Sequence, residues 1–137
     1  MTTTPYGNHL IAELAGCDPG LLNDPAAILE ILRAAAAAAG TTIVAEMIRR
    51  FEPQGVTGVV VIEESHIAVH TWPEHGYASF DFFTCGEGRP DIAAQETARR
   101  LKAQVTEVLW VSRGLVGEVS LLRIHGQDRR IVSIPAQ

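Results

Sequence analysis

Seven short segments of the chain carry β-branched and aromatic residues in the pattern of strands, and Gly and Pro residues separate them. Between the first two segments the sequence reads NDPAAILEILRAAAAAAG, which predicts a helix with Asp24 as N-cap, Pro25 in the first helical position and Gly40 at the C-terminal cap. A second helix is predicted from Asp91 to Ala103, after the fifth strand. The predicted strands are NHLIAELA, TTIVAEMIRRF, GVVVIEE, HIAVHTW, YASFDFFT, EVLWVS and GEVSLLRI.

This order of elements predicts the fold class. Most neighbouring strands are joined by short turns, which favours antiparallel pairing, and only two helices are available to cover the sheet. We therefore expect an α+β two-layer sandwich, with one mainly antiparallel sheet and two helices packed on one face. No element is predicted after Ile124.

Composition indicates one globular domain spanning residues 1–137. The chain has 47% hydrophobic and 20% charged residues, and no apolar run approaches the ~20 residues that span a membrane. The net charge is −5 and the eleven Lys and Arg residues form no basic block, so we expect no binding to nucleic acid or to anionic lipid. The same charge pattern favours a small-molecule or protein partner. The N-terminal segment lacks signal-peptide features, which predicts a cytoplasmic protein.

The cysteines and histidines do not predict a metal site. Cys17 and Cys85 are isolated and have no CxxC spacing. His66 and His70 would form a metal-binding pair on a helix, but they lie in a strand-like segment, where four residues span ~13 Å.

The central hairpin permits a prediction of register. If Pro73–Gly76 form a four-residue turn, Trp72 faces Tyr77, and the antiparallel register then places Ser65 opposite Thr84 and Glu64 opposite Cys85. His70 lies on the same strand as Ser65 at ~16 Å, so local geometry does not bring these two side chains together.

The same region, GVTGVVVIEESHIAVHTWPEHGYASFDFFTCG, closely resembles the prokaryotic S-adenosylmethionine decarboxylases. ESH, HTWPE, GYA and FTCG carry the resemblance, and NHLIAEL and TTIVAEMIRRF extend it to roughly residues 8–103. The resemblance implies a pyruvoyl-dependent enzyme that cuts its own chain, acts in spermidine biosynthesis and assembles as a homodimer of cleaved protomers. It implies a β chain of residues 1–64 and an α chain of residues 65–137.

Residue roles follow from matching positions in the family. Ser65 would attack the carbonyl of Glu64, and elimination and hydrolysis would leave a pyruvoyl group that binds the substrate amine as a Schiff base. His70 would remove the serine α-proton, and Cys85 would donate a proton after decarboxylation. Thr57 stands where the family usually has a serine that assists processing.

Two further positions match the substrate site. Phe51 corresponds to an aromatic residue that stacks on the substrate adenine, and Glu74 matches a glutamate of the HTWPE motif that we expect at the substrate site.

The sequence departs from the family mainly near the substrate site. Arg49 replaces a histidine two residues before Phe51, Glu63 replaces a small residue before ESH, and Glu46 adds an acid on the strand that leads to Phe51. An extra carboxylate can pair with a guanidinium or ammonium group, so decarboxylation of arginine or ornithine is the alternative substrate hypothesis. A second alternative is an uncleaved homologue with a binding or regulatory role.

Overall fold

The structure is a computed structural model that describes residues 6–114, 119–125 and 132–134. Within these residues the chain forms strands and α-helices in the order β1, α1, α2, β2, β3, β4, β5, α3, β6, β7 and β8. A single 3₁₀ turn, Pro73–His75, lies between β4 and β5. The strands are β1 Gly7–Ala15, β2 Thr42–Arg50, β3 Val56–Glu63, β4 Ser65–Trp72, β5 Tyr77–Thr84, β6 Val105–Arg113, β7 Val119–His125 and β8 Val132–Ile134, and the helices are α1 Pro19–Leu22, α2 Pro25–Ala38 and α3 Pro90–Arg100.

The strands form one sheet in the order β2-β3-β4-β5-β1-β6-β7-β8, and each pairing between them is antiparallel. Helix α2 packs on β2, β3 and β4, whereas α3 packs on β1 and β5. The predicted α+β two-layer sandwich is confirmed.

Helix α2 begins and ends where its sequence predicts. The side chain of Asp24 accepts hydrogen bonds from the backbone N–H groups of Ala26 and Ala27 at 3.0 and 3.2 Å, and Gly40 follows the helix with φ of 76°. The helix packs closely on β3 at Gly58, where an added Cβ would lie 2.7 Å from the Leu32 Cδ1 atom. The buried face of α2 consists of Ile28, Ile31, Leu32, Ala35 and Ala36.

The two faces of the sheet differ in burial. Alternate residues such as Val60, Ile67, Phe80 and Phe82 point towards the helices and are fully buried or nearly so. The other residues of the same strands form a surface that we call the free face, which no helix of the described residues covers. Its apolar members include Ile11, Met47, Val59, Val61, Ala68, Trp72, Phe83 and Leu109.

Three details differ from the sequence prediction. The short helix α1 was not predicted, because four residues are too few to show helical periodicity. Helix α3 ends at Arg100, so it is shorter than the predicted helix from Asp91 to Ala103. Strand β8 lies beyond Ile124, where no element was predicted, and residues 117 and 118 of the last predicted strand lie outside the described residues.

None of the described helices is long and apolar enough to cross a bilayer.

Candidate active site

The predicted cleavage point lies in a very short connection between two strands. Glu63 ends β3 and Ser65 begins β4, so Glu64 alone joins them, with a cis peptide bond to Glu63. Glu64 is exposed, and Ser65 is partly buried. The bond predicted to be cut therefore lies in a tight turn at one end of the sheet.

Ser65 has an unusual backbone conformation and a sulfur neighbour. Its φ is 108°, a region that side chains other than glycine rarely adopt and that costs about 1–3 kcal/mol. The Ser65 Oγ atom lies 3.6 Å from the Cys85 Sγ atom, within hydrogen-bonding distance for sulfur. The pairs Ser65 with Thr84 and Trp72 with Tyr77 confirm the predicted register. The predicted nucleophile and the predicted proton donor are thus neighbours.

The other predicted site residues lie at the opposite end of these strands. Thr57 and His70 are paired across β3 and β4, and Thr57 Oγ1 lies 3.0 Å from His70 Nδ1, in a hydrogen bond. Phe51 follows β2, and Glu74 lies in the 3₁₀ turn after β4. These four residues, Phe51, Thr57, His70 and Glu74, line one cleft of about 280 Å³.

Helix α1 and the residues after it support the floor of this cleft. The Thr71 hydroxyl donates to the carbonyl of Leu22 at 2.7 Å and accepts from the backbone N–H of Val56 at 2.8 Å. The backbone N–H of Gly55 donates to the side chain of Asn23 at 3.0 Å, and Gly55 has φ of 104°. The cleft is therefore held by buried polar contacts that fix the turn between β2 and β3.

Within one chain the two groups of site residues do not meet. Ser65 and His70 are five residues apart on β4, a straight-strand distance of ~16 Å. His70 pairs with Thr57 and Ser79, whereas Ser65 pairs with Ile62 and Thr84. Proton transfer needs heavy atoms at roughly 2.6–3.2 Å, so one chain alone does not assemble the predicted machinery.

The three departures from the family pattern occupy different places. Arg49 lies opposite Thr57, and its guanidinium carbon is 5.9 Å from the centre of the Phe51 ring. Arg49 therefore borders the cleft. Glu63 is exposed and pairs with Thr42 at the Ser65 end of the sheet.

Glu46 is already engaged by a residue of the same chain. Its two carboxylate oxygens accept hydrogen bonds from Arg33 at 2.6 and 2.8 Å, which lowers the pKa of the Glu46 carboxyl. The pair joins α2 to β2 and does not line the cleft. Glu46 is therefore not available there for a cationic substrate group.

A polar cluster beside Ser65 was not predicted from the sequence. Asp81 Oδ2 lies 2.8 Å from His9 Nε2 and 2.8 Å from His66 Nε2, and all three residues are half-buried on the free face. The period-2 pattern places each of them on one face of its strand, but the contact depends on β1 pairing with β5, which the sequence does not reveal. The Nε2 atoms and the carboxylate lie within 4.8 Å of one another, a spacing that a metal ion could use.

The surroundings of this cluster favour a hydrogen-bonded network over a metal centre. A zinc-bound histidine usually donates its second ring N–H to an acceptor. His9 Nδ1 instead lies 3.4 Å from the Arg113 guanidinium, which is itself a donor. The direct hydrogen bonds from the two Nε2 atoms already occupy one carboxylate oxygen, Oδ2.

Comparisons with known proteins agree with this architecture. A family model described as S-adenosylmethionine decarboxylase matches residues 8–114. The S-adenosylmethionine decarboxylase proenzyme of Methanococcus maripaludis is 47% identical over 116 residues, covering 82% of this chain and 95% of that protein. The corresponding proenzyme of Pyrococcus horikoshii is 44% identical over 113 residues, covering 82% of this chain and 81% of that protein.

A solved structure has the same fold. The crystal structure of the adenosylmethionine decarboxylase from Aquifex aeolicus VF5 aligns with a TM-score of 0.76 and 34% identity, over 85% of this chain and 97% of that one. Fold and comparisons define the class of protein as a carboxy-lyase that acts on a small molecule. More specifically, the chain belongs to the S-adenosylmethionine decarboxylase family.

Proposed function

We propose that this protein decarboxylates S-adenosylmethionine after cutting its own chain between Glu64 and Ser65. The observation that carries the proposal is the conformation of Ser65, which has φ of 108° in a one-residue connection and its Oγ atom 3.6 Å from Cys85 Sγ. Strain of this kind is relieved when the backbone rearranges, so it favours reaction at this bond. The products are residues 1–64 and residues 65–137.

The cleavage requires a defined sequence of bond changes. Ser65 Oγ attacks the Glu64 carbonyl, so that the amide C–N bond breaks and an ester C–O bond forms. Removal of the Ser65 α-proton then breaks the Cβ–O bond and releases Glu64 as a carboxylate. Loss of ammonia by hydrolysis leaves residue 65 as a pyruvoyl group, whose carbonyl supplies the electron sink for decarboxylation.

The residues around the cut fit these steps. Cys85 lies where a proton donor is needed next to residue 65, and its side chain is exposed in the single chain. His70 is the proposed base for the α-proton, and the Thr57 hydroxyl 3.0 Å from its Nδ1 orients the ring. In one protomer, however, the ~16 Å of strand between Ser65 and His70 keeps them apart.

A homodimer resolves this separation. A two-fold axis that lies in the interface and runs perpendicular to the strands turns one sheet over and exchanges its strand ends. The Ser65 end of one protomer then faces the His70 end of its partner. The free face suits such an interface, since Met47 is 72% exposed, Val61 43% and Trp72 41%, and exposed apolar residues in one surface are typical of association.

The cleft is the proposed binding site for the adenosyl part of the substrate. Phe51 is 46% exposed and presents its ring for stacking, while Glu74 offers a carboxylate that accepts hydrogen bonds. At about 280 Å³ the cleft lies just below the range of roughly 300–1,000 Å³ for small-molecule sites, as expected if a partner completes it. The product would serve as the aminopropyl donor for spermidine synthesis in the cytoplasm.

The alternative substrates, arginine and ornithine, have less support. The additional carboxylate that suggested them, Glu46, is bound by Arg33 and lies outside the cleft. Arg49, which does border the cleft, adds positive charge that would repel a guanidinium or ammonium side chain. A sulfonium is also cationic, but here the adenine would supply most of the binding contact through Phe51.

Two measurements on one sample test the proposal. Denaturing mass spectrometry should give two fragments that meet between Glu64 and Ser65, the second with a pyruvoyl terminus. The same sample should release labelled CO₂ from carboxyl-labelled S-adenosylmethionine, but not from labelled arginine or ornithine. Release from either amino acid would favour the alternative substrate, and a single uncut mass with no release would favour a binding or regulatory homologue.

A further inference from the structure

Three strands contribute to a hydrogen-bonded cluster immediately beyond the cleavage point. His9 on β1 and His66 on β4 each place Nε2 2.8 Å from one oxygen of Asp81 on β5. Because a carboxylate oxygen only accepts, both histidines must carry a proton on Nε2. His66 is the residue that follows Ser65, so the cluster holds the side chain of the second residue after the bond that is cut.

Neighbouring groups fix the orientation of both imidazole rings. The Phe83 ring stacks against His66 with centroids 6.2 Å apart and an interplanar angle of 17°. It contacts His9 edge-on at 5.3 Å, and the Arg113 guanidinium carbon lies 4.6 Å above its centroid. Arg113 Nη1 also lies 3.4 Å from His9 Nδ1, where the Nε2–H tautomer presents an acceptor. His9 therefore donates a hydrogen bond from Nε2 to Asp81 and accepts one at Nδ1 from Arg113.

We propose that His9, Asp81 and His66 act as a clamp that positions residue 65 for self-cleavage and, afterwards, for decarboxylation. The inference rests on the proposed function and adds positioning residues to it. Asp81 acts through His66 and does not touch the reacting atoms. His9 in turn fixes the Asp81 carboxylate, since both imidazoles bind the same oxygen.

The position of Ser65 explains why such a clamp is needed. Ser65 is the first residue of β4, so no earlier residue of that strand restrains it, and its φ of 108° is unfavourable. Cleavage removes the remaining covalent link on that side and turns residue 65 into a chain end. Chain ends fray unless contacts hold them, and the nearest side-chain anchor is His66 on Asp81.

Substitutions at His66 separate a clamp from simple packing. His66→Gln retains a side-chain N–H near the position of Nε2, whereas His66→Phe retains the ring that stacks on Phe83 but has no donor. We expect His66→Gln to cleave within about threefold of the wild-type rate and His66→Phe to cleave about tenfold more slowly, since one hydrogen bond to a charged group is lost. If His66 acted only by packing on Phe83, His66→Gln would be cleaved more slowly than His66→Phe.

Asp81→Asn tests the acceptor. An amide oxygen in the place of Asp81 Oδ2 can still accept from both imidazoles, but it carries no negative charge, so both hydrogen bonds lose their charge assistance and about half of their strength. We expect about tenfold slower cleavage. Asp91→Asn is the matched control, because it makes the same chemical change in the ion pair between Arg89 and Asp91 at the start of α3, and it should leave the rate unchanged.

The rates are measured on full-length chains made by cell-free translation and sampled over time on denaturing gels. Variants that have been cleaved after long incubation are then assayed with S-adenosylmethionine. His66→Phe should show a lower kcat with KM unchanged within about twofold, because none of the clamp residues lines the cleft that binds the adenosyl group. A melting temperature and a dimer peak for each variant distinguish slow cleavage from misfolding, and Asp81→Asn keeps the test open if His66→Phe fails to fold.

The outcomes distinguish this inference from the function on which it rests. Wild-type rates in His66→Phe and Asp81→Asn, with wild-type protein that does cleave, would overturn the clamp alone. Slower cleavage in His66→Gln than in His66→Phe would also overturn it. Wild-type protein that stays uncut would overturn both proposals.

Discussion

Two inactive variants should restore each other if the active site is shared between two chains. Ser65→Ala removes the nucleophile and leaves His70 intact, whereas His70→Ala removes the proposed base and leaves Ser65 intact. Each variant alone should remain uncut, because every site in either homodimer lacks one essential group. A mixed dimer contains one site with both groups present and one site with neither.

The structure fixes the magnitude expected. Ser65 and His70 are five residues apart on β4, ~16 Å of straight strand. The His70 of a chain therefore cannot act on the Ser65 of the same chain, and each cut needs His70 from the partner. Random assembly of equal amounts gives about half mixed dimers, and in each of them the chain that retains Ser65 is cut. About half of the His70→Ala chains should therefore be cleaved, and activity should reach about a quarter of the wild-type value per total chain.

The assay uses two different affinity tags on co-expressed chains. Purification through both tags isolates mixed dimers, in which nearly all His70→Ala chains should be cut and activity should reach about half that of wild-type dimers. Intact mass under denaturing conditions identifies which chain was cut. Mixed dimers that contain no cut chain would refute the shared site and require Ser65 and His70 to meet within one protomer.

Three further predictions concern single side chains. Burial raises the pKa of the Cys17 thiol to about 11, so at pH 8 only about 0.1% of it is the reactive thiolate. Iodoacetamide followed by peptide mapping should therefore modify Cys85, which is exposed in the single chain, before Cys17 and abolish decarboxylation, and Cys17→Ser should be inactivated equally fast. Arg49→Ala should raise KM for S-adenosylmethionine about two- to threefold with kcat unchanged, because it removes an exposed cation–π contact of ~0.5 kcal/mol that holds the Phe51 ring for stacking on the adenine. A lower KM would instead mean that repulsion between Arg49 and the sulfonium dominates. Arg99 and Arg100 lower the pKa of the Glu96 carboxyl, so their ion pairs with Glu96 stabilise the fold above its unfolded pKa of ~4.3, and this stabilisation is lost as pH falls through the lower folded pKa. Glu96→Gln should therefore reduce the free energy of unfolding at pH 7 by ~0.5–1 kcal/mol. Urea titrations below about pH 3 should show no such difference from wild type.

The sequence predicted most of what depends on local spacing. The turn at Pro73–Gly76 is short enough to fix the register of β4 and β5, and this correctly placed Ser65 opposite Thr84. The residues around α2 carry strong capping signals, which is why Asp24 and Gly40 marked its limits well.

Features that depend on distant parts of the chain were not predicted. Strand β1 lies between β5 and β6, and this order brings His9 against Asp81, 72 residues further along the chain. Glu46 looked free in the sequence because Arg33, its partner, lies on a helix whose rotation relative to β2 is set by packing. The separation of Ser65 from His70 was predictable from strand length alone, but the free face through which we propose that a partner reunites them was not.

A site divided in this way would link maturation to assembly. A newly made chain carries the strained Ser65 at one end of β4 and the proposed base, His70, at the other end. A monomer therefore contains both residues but keeps them too far apart to react. Contact between two free faces would bury exposed apolar side chains and bring His70 to the partner's Ser65 in the same step. Cutting would therefore begin only when a partner encloses the serine, and the electrophilic group it leaves would form at a covered interface. The half-buried clamp of His9, Asp81 and His66 fits this arrangement, because its hydrogen bonds are satisfied within one chain and its charge needs no group from the partner.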